Sequence, residues 1–139
     1  MTVIYTTTEK TLQPGQSLVF DAVRQSGCSE EVNSTSPSQI TLAPNGMFNV
    51  AMSGNIGGTT AATAVQLQVT ANGVAIPETL AISTPAAVGD LNNVARSTAV
   101  STARNRCFST GSESLAVTNT GTTPVVVGTG FSLKVSRAG

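Results

Sequence analysis

MFNVAMSG, residues 47–54, is the stretch that decides the fold, and the turn signal Asn45-Gly46 comes directly before it. Its larger apolar side chains stand at every second position, so Phe48, Val50 and Met52 lie on one face of an extended chain. The residues between them are small or polar apart from Met47. This period of two predicts a β-strand with one buried face and one face toward solvent.

The same alternation recurs along the chain. In VQLQV, residues 65–69, it directs three apolar side chains inward, and FSLKV, residues 131–135, repeats it. A further apolar run follows at 113–119. The predicted core consists of the inward apolar residues Phe48, Val50, Met52, Val65, Leu67, Val69, Leu115 and Val117.

Turn residues divide the chain into short runs. We predict strands at 2–8, 17–23, 38–43, 46–54, 63–71, 74–82, 96–104, 113–119 and 124–136. The turns are marked by Pro14-Gly15, Pro44-Asn45-Gly46, Asn72-Gly73 and Gly121–Pro124. The segments 24–37 and 83–95 have no regular period and are predicted as loops, the second with one helical turn around 90–93.

The chain has 139 residues, a common size for one domain, and no linker or internal repeat divides it. We predict a single domain, 1–139, in which residues 1–30 are a candidate anchoring segment. Many short strands, some joined by hairpins and others by long excursions, predict an all-β fold. The expected architecture is an antiparallel β-sandwich of the jelly-roll or a related Greek-key type.

Charge is scarce in this sequence. Charged residues make up 10% of the chain, against roughly 25% in an ordinary domain, and the net charge is zero. Such a neutral, hydroxyl-rich surface favours contact with other proteins, most simply with copies of the same chain. Neither a membrane-spanning run nor a secretion signal is recognisable, which predicts synthesis in a cytoplasm. The alternative is that the sequence is a piece of a longer protein.

Residues for catalysis are also scarce. The chain has no histidine, so the usual general base and the Ser-His-Asp and Cys-His arrangements are missing. The two cysteines, Cys28 and Cys107, either pair or remain thiols, and they are too few for a zinc site. Glu30-Glu31 are interpreted as loop charges and Gly57-Gly58 as a strand connection. We predict no catalytic residue, no metal, no cofactor and no enzymatic activity.

Three arginines near one predicted strand share the same parity: Arg96, Arg104 and Arg106. They are candidate partner contacts, through salt bridges to a neighbouring subunit or to an acidic partner surface. The zero net charge and the single tyrosine argue against nucleic acid as that partner.

Residues 40–54, ITLAPNGMFNVAMSG, resemble the signature stretch of the tumour-necrosis-factor and complement-globular-head jelly rolls. In that family a strand ends in a Pro/Gly turn and Gly-aromatic-x-Val begins the next. The run 130–135 is similar to the family's last strand, 65–77 to its central hairpin and 115–121 to its penultimate strand. The resemblance covers about residues 1–138 and is nearest to the small bacterial and bacteriophage branch. The scarcity of aromatic residues and the absence of a Gly-X-Y repeat exclude a stalked, complement-type protein for this sequence.

The resemblance implies a homotrimer with jelly rolls packed side by side around an axis. The strand faces around 46–54, 63–71 and 124–136 are then the expected interface. The predicted interface residues are Met47, Asn49, Ala51, Gln66, Gln68, Phe131 and Leu133.

The expected function is that of a structural virion protein. It is a trimeric decoration or head-fibre protein on the outside of a phage capsid, made in the host bacterial cytoplasm and located on the virion surface. Its partners are its own copies and the major capsid protein or another virion surface. The alternative is a receptor- or glycan-binding head of a phage fibre or spore-surface protein. In that case the loops 24–37 and 83–95 form a shallow site for a host-surface glycan.

Overall fold

The computed structural model describes residues 1–25, 30–32, 39–42, 47–101 and 113–137, which form a sandwich of two antiparallel β-sheets. In chain order the strands of these ranges are β1 (Thr2–Tyr5), β2 (Lys10–Leu12), β3 (Ala22–Gln25), β4 (Glu30–Val32), β5 (Ile40–Leu42), β6 (Met47–Gly58), β7 (Val65–Ala71), β8 (Val74–Ala75), β9 (Ala81–Ser83), β10 (Asn92–Ser101), β11 (Glu113–Thr118), β12 (Val125–Val127) and β13 (Ser132–Arg137). One short 3-10 helix, Pro77–Thr79, lies between β8 and β9.

The first sheet is built around β6, the longest of these strands. All ten residues of β10 pair with one side of β6, from Asn92 opposite Ile56 to Ser101 opposite Met47. The other side of β6 pairs with β12 and β13, which follow one another end to end. Strands β2 and β1 continue the sheet beyond β12 and β13, and β3 closes it beside β1. Residues 1–25 are therefore part of the sandwich and do not form a free arm.

The second sheet has the order β4, β5, β11, β7, with β8 and β9 following one another along the far side of β7. The chain passes repeatedly between the sheets. Strands β1 to β3, β6, β10, β12 and β13 belong to the first sheet. Strands β4 and β5, β7 to β9, and β11 belong to the second. Strands adjacent in sequence, such as β5, β6 and β7, thus face each other across the core.

The core lies between the two sheets, as the period-two pattern predicts. The eight residues that the pattern directs inward are each no more than 2% exposed. Three phenylalanines, Phe20, Phe48 and Phe131, are the largest of the fully buried side chains. Burial of this apolar area, at roughly 25 cal/mol per Å², is the main stabilising term of the fold.

Two predicted turns have the expected geometry. Asn72 and Gly73 have φ values of 51° and 84°, the left-handed pair that a two-residue hairpin requires, and they join β7 to β8. Gly15 has φ of 85°, and the Gln16 amide donates to the Gln13 carbonyl at 3.0 Å, which is a turn with proline second and glycine third. The predicted turn Pro44-Asn45-Gly46 lies outside the described residues.

Several predicted boundaries are wrong. The predicted strand 74–82 is broken by the 3-10 helix, because Pro77 has no amide hydrogen to donate to a neighbouring strand. The predicted loop 24–37 includes β4, which pairs with β5. The predicted helical turn around 90–93 is replaced by the start of β10, and Gly57-Gly58 belong to β6.

Two other predicted strands are divided or shortened. In 124–136 a turn at 128–131 separates β12 from β13. In 17–23 only Ser17 makes a bridge, to Thr118, before β3 begins at Ala22.

Candidate functional site

The outward side of the first sheet carries small and hydroxyl side chains in neighbouring rows. Ala51 lies between Lys134 on β13 and Ser97 on β10, and the rows on either side continue this pattern. We call this surface the first outer face and define it by Asn49, Ala51, Ser53, Ala95, Ser97, Ala99, Ser132, Lys134 and Ser136.

The first outer face contains a shallow groove of about 330 Å³, lined mainly by Asn49, Ala51, Ser97, Lys134 and Ser136. Alanine, asparagine and serine have weak preferences for strands. Strand stability therefore does not explain why these residues cover three adjacent strands. Small side chains let another backbone approach closely. Among the described residues of these three strands, Lys134 is the one charged side chain on this face.

The outward side of the second sheet carries a connected set of hydroxyl and amide groups. Ser17 and Thr118 share a hydrogen bond of 3.0 Å, and Thr118 and Thr70 share one of 3.3 Å. The Thr120 hydroxyl donates to Gln68 Oε1 at 2.7 Å and accepts from Gln66 Nε2 at 2.9 Å. We call this surface the second outer face and define it by Ser17, Thr41, Gln66, Gln68, Thr70, Ser114, Ala116, Thr118 and Thr120.

The seven predicted interface residues do not form one surface. Met47, Asn49 and Ala51 lie on the outward side of β6, where Met47 is 50% exposed at one end. Gln66 and Gln68 lie on the second outer face, on the opposite side of the sandwich, where their amides are bound to Thr120. They therefore lie on a different surface of the chain from Ala51.

The prediction of Phe131 and Leu133 as interface residues is wrong. Both side chains are 0% exposed and belong to the core. The reason is register: Leu133 pairs with Met52, and both point inward. The alternation of FSLKV, which places Phe131, Leu133 and Val135 on one face, was the signal that would have identified them as core residues.

Arg96 is held within its own chain. Its Nε donates to the Leu80 carbonyl at 2.8 Å, and Asn92 Nδ2 donates to Ser83 Oγ at 2.9 Å. These two contacts join the edge strand β10 to the segment around β9 across the open side of the sandwich. Arg104, Arg106, Cys28 and Cys107 lie outside the described residues.

The carboxylates are dispersed over the described part of the chain. Glu30 and Glu31 lie on β4 rather than in a loop. Within the described ranges no three of the His, Cys, Asp and Glu residues come close enough together to hold a metal ion. Asp21 is held by several contacts: it pairs with Lys10 at 2.8 Å and accepts the Thr7 and Thr8 amides at 2.8 and 3.2 Å.

Asp21 fastens the turn between β1 and β2, and this gives a pH-dependent prediction. The Lys10 hydrogen bond and then the Thr7 amide hold the pKa of Asp21 well below its ordinary value, against a smaller opposing effect of desolvation. The stabilisation is therefore present above about pH 4, the unfolded pKa, and is lost as the pH falls toward the folded pKa. We expect Asp21→Asn to lower the free energy of unfolding by about 1 kcal/mol at pH 7, since the site is partly solvent-screened.

The measurement is urea unfolding of both proteins at pH 7 and pH 3, followed by circular dichroism. The difference between Asp21→Asn and the parent should shrink at pH 3. Asp90→Asn removes the same charge from a carboxylate with no hydrogen bond or ion pair to the described residues, and it should have little effect. An equal loss in both variants would contradict the assignment.

No protein-family model matches the chain, and a search of curated proteins finds no significant similarity. None of the described residues forms a helix long and apolar enough to cross a membrane. The two outer faces are the features of the described structure that bear on function.

Proposed function

We propose that the protein is a structural, non-enzymatic β-sandwich that assembles with copies of itself through the first outer face. The observation that carries this proposal is the composition of that face on the three adjacent strands β13, β6 and β10. Seven of the nine residues that define the face are alanine or serine, and Lys134 is its one charge among the described residues of these strands. The near absence of charge supports a contact between proteins, since charged residues are depleted at the core of such interfaces.

The strand order supports a jelly roll. When strands that lie end to end are counted as one, the described residues give five strands in each sheet. The orders are β3, β1–β2, β13–β12, β6, β10 and β4, β5, β11, β7, β8–β9. The chain alternates between the sheets in the second half, and its last strand lies between the first strand and β6. This order is compatible with the jelly roll that the sequence resemblance implies, and it supports proposing that topology.

The proposed assembly is a homotrimer. The number three comes from the family resemblance, while the small-residue face supports a contact between copies. In a cyclic assembly two different surfaces of each copy meet. The second surface proposed is the neighbouring edge of β9 and β10, where Ile82 is 53% exposed.

The proposed biological role is that of a decoration or head-fibre protein on the outside of a phage capsid. A neutral, rigid sandwich that assembles around an axis fits attachment at a symmetric position on a particle. Because β1, β2 and β3 are integral strands of the first sheet, attachment is assigned to loops at one end of the sandwich rather than to residues 1–25. Cosedimentation of the purified protein with phage capsids tests this step once assembly is established.

Light scattering at several concentrations tests the assembly. We expect a constant mass near three times 14.0 kDa. A concentration-independent mass of 14.0 kDa would contradict the proposal.

Ala51→Leu tests whether the first outer face is the contact. Ala51 is at the centre of the groove, between Lys134 and Ser97, and a leucine there would prevent close approach of a second copy. We expect the dissociation constant of the assembly to rise roughly 100-fold, the equivalent of about 3 kcal/mol. Ala116→Leu, on the opposite face, is the matched control and should leave the mass unchanged. A trimer that forms equally well with Ala51→Leu would place the contact elsewhere.

A further inference from the structure

The second outer face contains a recess that the proposed assembly does not use. Its floor is formed by Thr70 on β7 and Ala116 on β11, whose side chains point away from the core yet are only 5% and 4% exposed. The recess encloses about 230 Å³. Outward residues of an open sheet are normally accessible, so neighbouring segments must rise around these two positions.

Two turns form the walls. On one side is the turn of Gly15, whose amide donates to the Asn119 carbonyl at 2.8 Å, followed by Ser17 bound to Thr118. On the other side is the β7–β8 hairpin, held by the Ser114 amide, which donates to Asn72 Oδ1 at 2.9 Å. Because both walls are hydrogen-bonded to the floor strand β11, the recess is preformed.

The lining is neutral and rich in hydroxyl groups. Ser17, Thr70, Ser114, Thr118, Thr120 and the Gln39 amide surround the recess, with the small residues Gly15, Gly73, Ala75 and Ala116 between them. A hydroxyl both donates and accepts hydrogen bonds, so this lining matches a ligand that carries many hydroxyls of its own. Among the described residues no charged side chain lines it, which favours a neutral ligand.

We propose that this recess binds one neutral pyranose unit of a glycan. The methyl groups of Ala75 and Ala116 offer a small apolar area for the C–H face of the ring, and the surrounding hydroxyls match the ring hydroxyls. The volume is below the roughly 300–1,000 Å³ of common ligand pockets, which fits a single ring better than a larger molecule. The sequence predicts a glycan site in the loops 24–37 and 83–95. The recess is a different site, since its described lining residues lie outside both segments.

Titration of isotope-labelled protein by NMR tests the site. The probes are methyl glycosides of glucose, galactose, mannose and N-acetylglucosamine and the neutral trisaccharides built from them. We expect at least one probe to give saturable shifts at Thr70 and Ser114–Thr118, with a dissociation constant of about 1 mM, as befits a single-ring ligand. No saturable shift from any probe up to high millimolar concentration, or shifts confined to other strands, would overturn the proposal.

Two variants locate the binding. Ala116→Leu fills the floor from its outward side, and we expect at least a tenfold loss of affinity. Thr118→Val keeps the shape and removes the hydroxyl that links Ser17 and Thr70, and it should weaken binding severalfold even if the leucine variant does not fold. A folded variant that binds as tightly as the parent would contradict the site.

Ala51→Leu is the matched control, with the same substitution on the other face. It should change the mass in solution and leave the affinity for a monovalent sugar unchanged. Ala116→Leu should leave the mass in solution unchanged and lower the affinity for the sugar. Failure of the assembly and failure of sugar binding are therefore separate results.

Discussion

Replacing Asn119 with alanine should lower the free energy of unfolding by about 3–5 kcal/mol. The side chain is fully buried where β11 ends. Its Nδ2 donates to the carbonyls of Leu12 and Thr123 at 3.1 and 2.9 Å, and its Oδ1 accepts the Gly121 amide at 3.0 Å. Alanine leaves three backbone groups without this partner. The hydrogen bond to Leu12 is buried and the other two are partly buried, and a buried, unsatisfied group costs about 1–3 kcal/mol.

The backbone of Asn119 also joins two segments of the chain. Its amide donates to the Gln16 carbonyl at 3.0 Å and its carbonyl accepts the Gly15 amide at 2.8 Å. One residue thus ties the β2–β3 connection, the end of β11 and the approach to β12. Weakening it should loosen one whole end of the sandwich.

Urea unfolding followed by far-ultraviolet circular dichroism measures the effect, since the chain has no tryptophan. Asn93→Ala is the matched control, because Asn93 is exposed on β10, and it should change stability by no more than about 0.5 kcal/mol. If Asn119→Ala unfolds within about 1 kcal/mol of the parent, the hydrogen bonds described above are not important for stability.

The role of Asn119 illustrates what the sequence could and could not predict. The period of two identified the core, because it depends only on the local geometry of an extended chain. Asn119 reads locally as a turn residue after an apolar run. Its importance comes from Leu12, more than 100 residues away in sequence, and no local pattern specifies that contact.

The candidate interface shows the same limit. Asn49 and Ala51 on β6 and Gln66 and Gln68 on β7 have the same outward parity, and the sequence predicts them together. Alternation states which side chains share a face of a strand, but it does not state to which sheet the strand belongs. Since β6 and β7 lie in different sheets, the two pairs face opposite directions.

Gly54 gives the other large prediction, because no side chain fits at this point of β6. A Cβ atom there would lie 2.5 Å from Phe131 Cδ2 and 2.7 Å from Phe131 Cα, with a backbone φ of 154° that favours glycine. The cause is the turn at 128–131 between β12 and β13. Because Val127 pairs with Ile56 and Ser132 with Ser53, these four residues form a bulge opposite two residues of β6. Phe131 turns inward at this bulge and lies over Gly54.

Gly54→Ala should therefore lower the free energy of unfolding by about 3 kcal/mol or more, since overpacking and backbone strain add. Gly130→Ala is the control: Gly130 also has positive φ, 78°, but an added Cβ meets nothing within 4 Å, so only about 1 kcal/mol of strain is expected. A combined Gly54→Ala/Phe131→Ala variant removes the contact with the Phe131 ring. Its loss should be smaller than the sum of the two single losses, because the substitutions act on one contact. Additive losses, or a Gly54→Ala effect no larger than that of Gly130→Ala, would mean that the bulge relaxes without displacing Phe131 from the core.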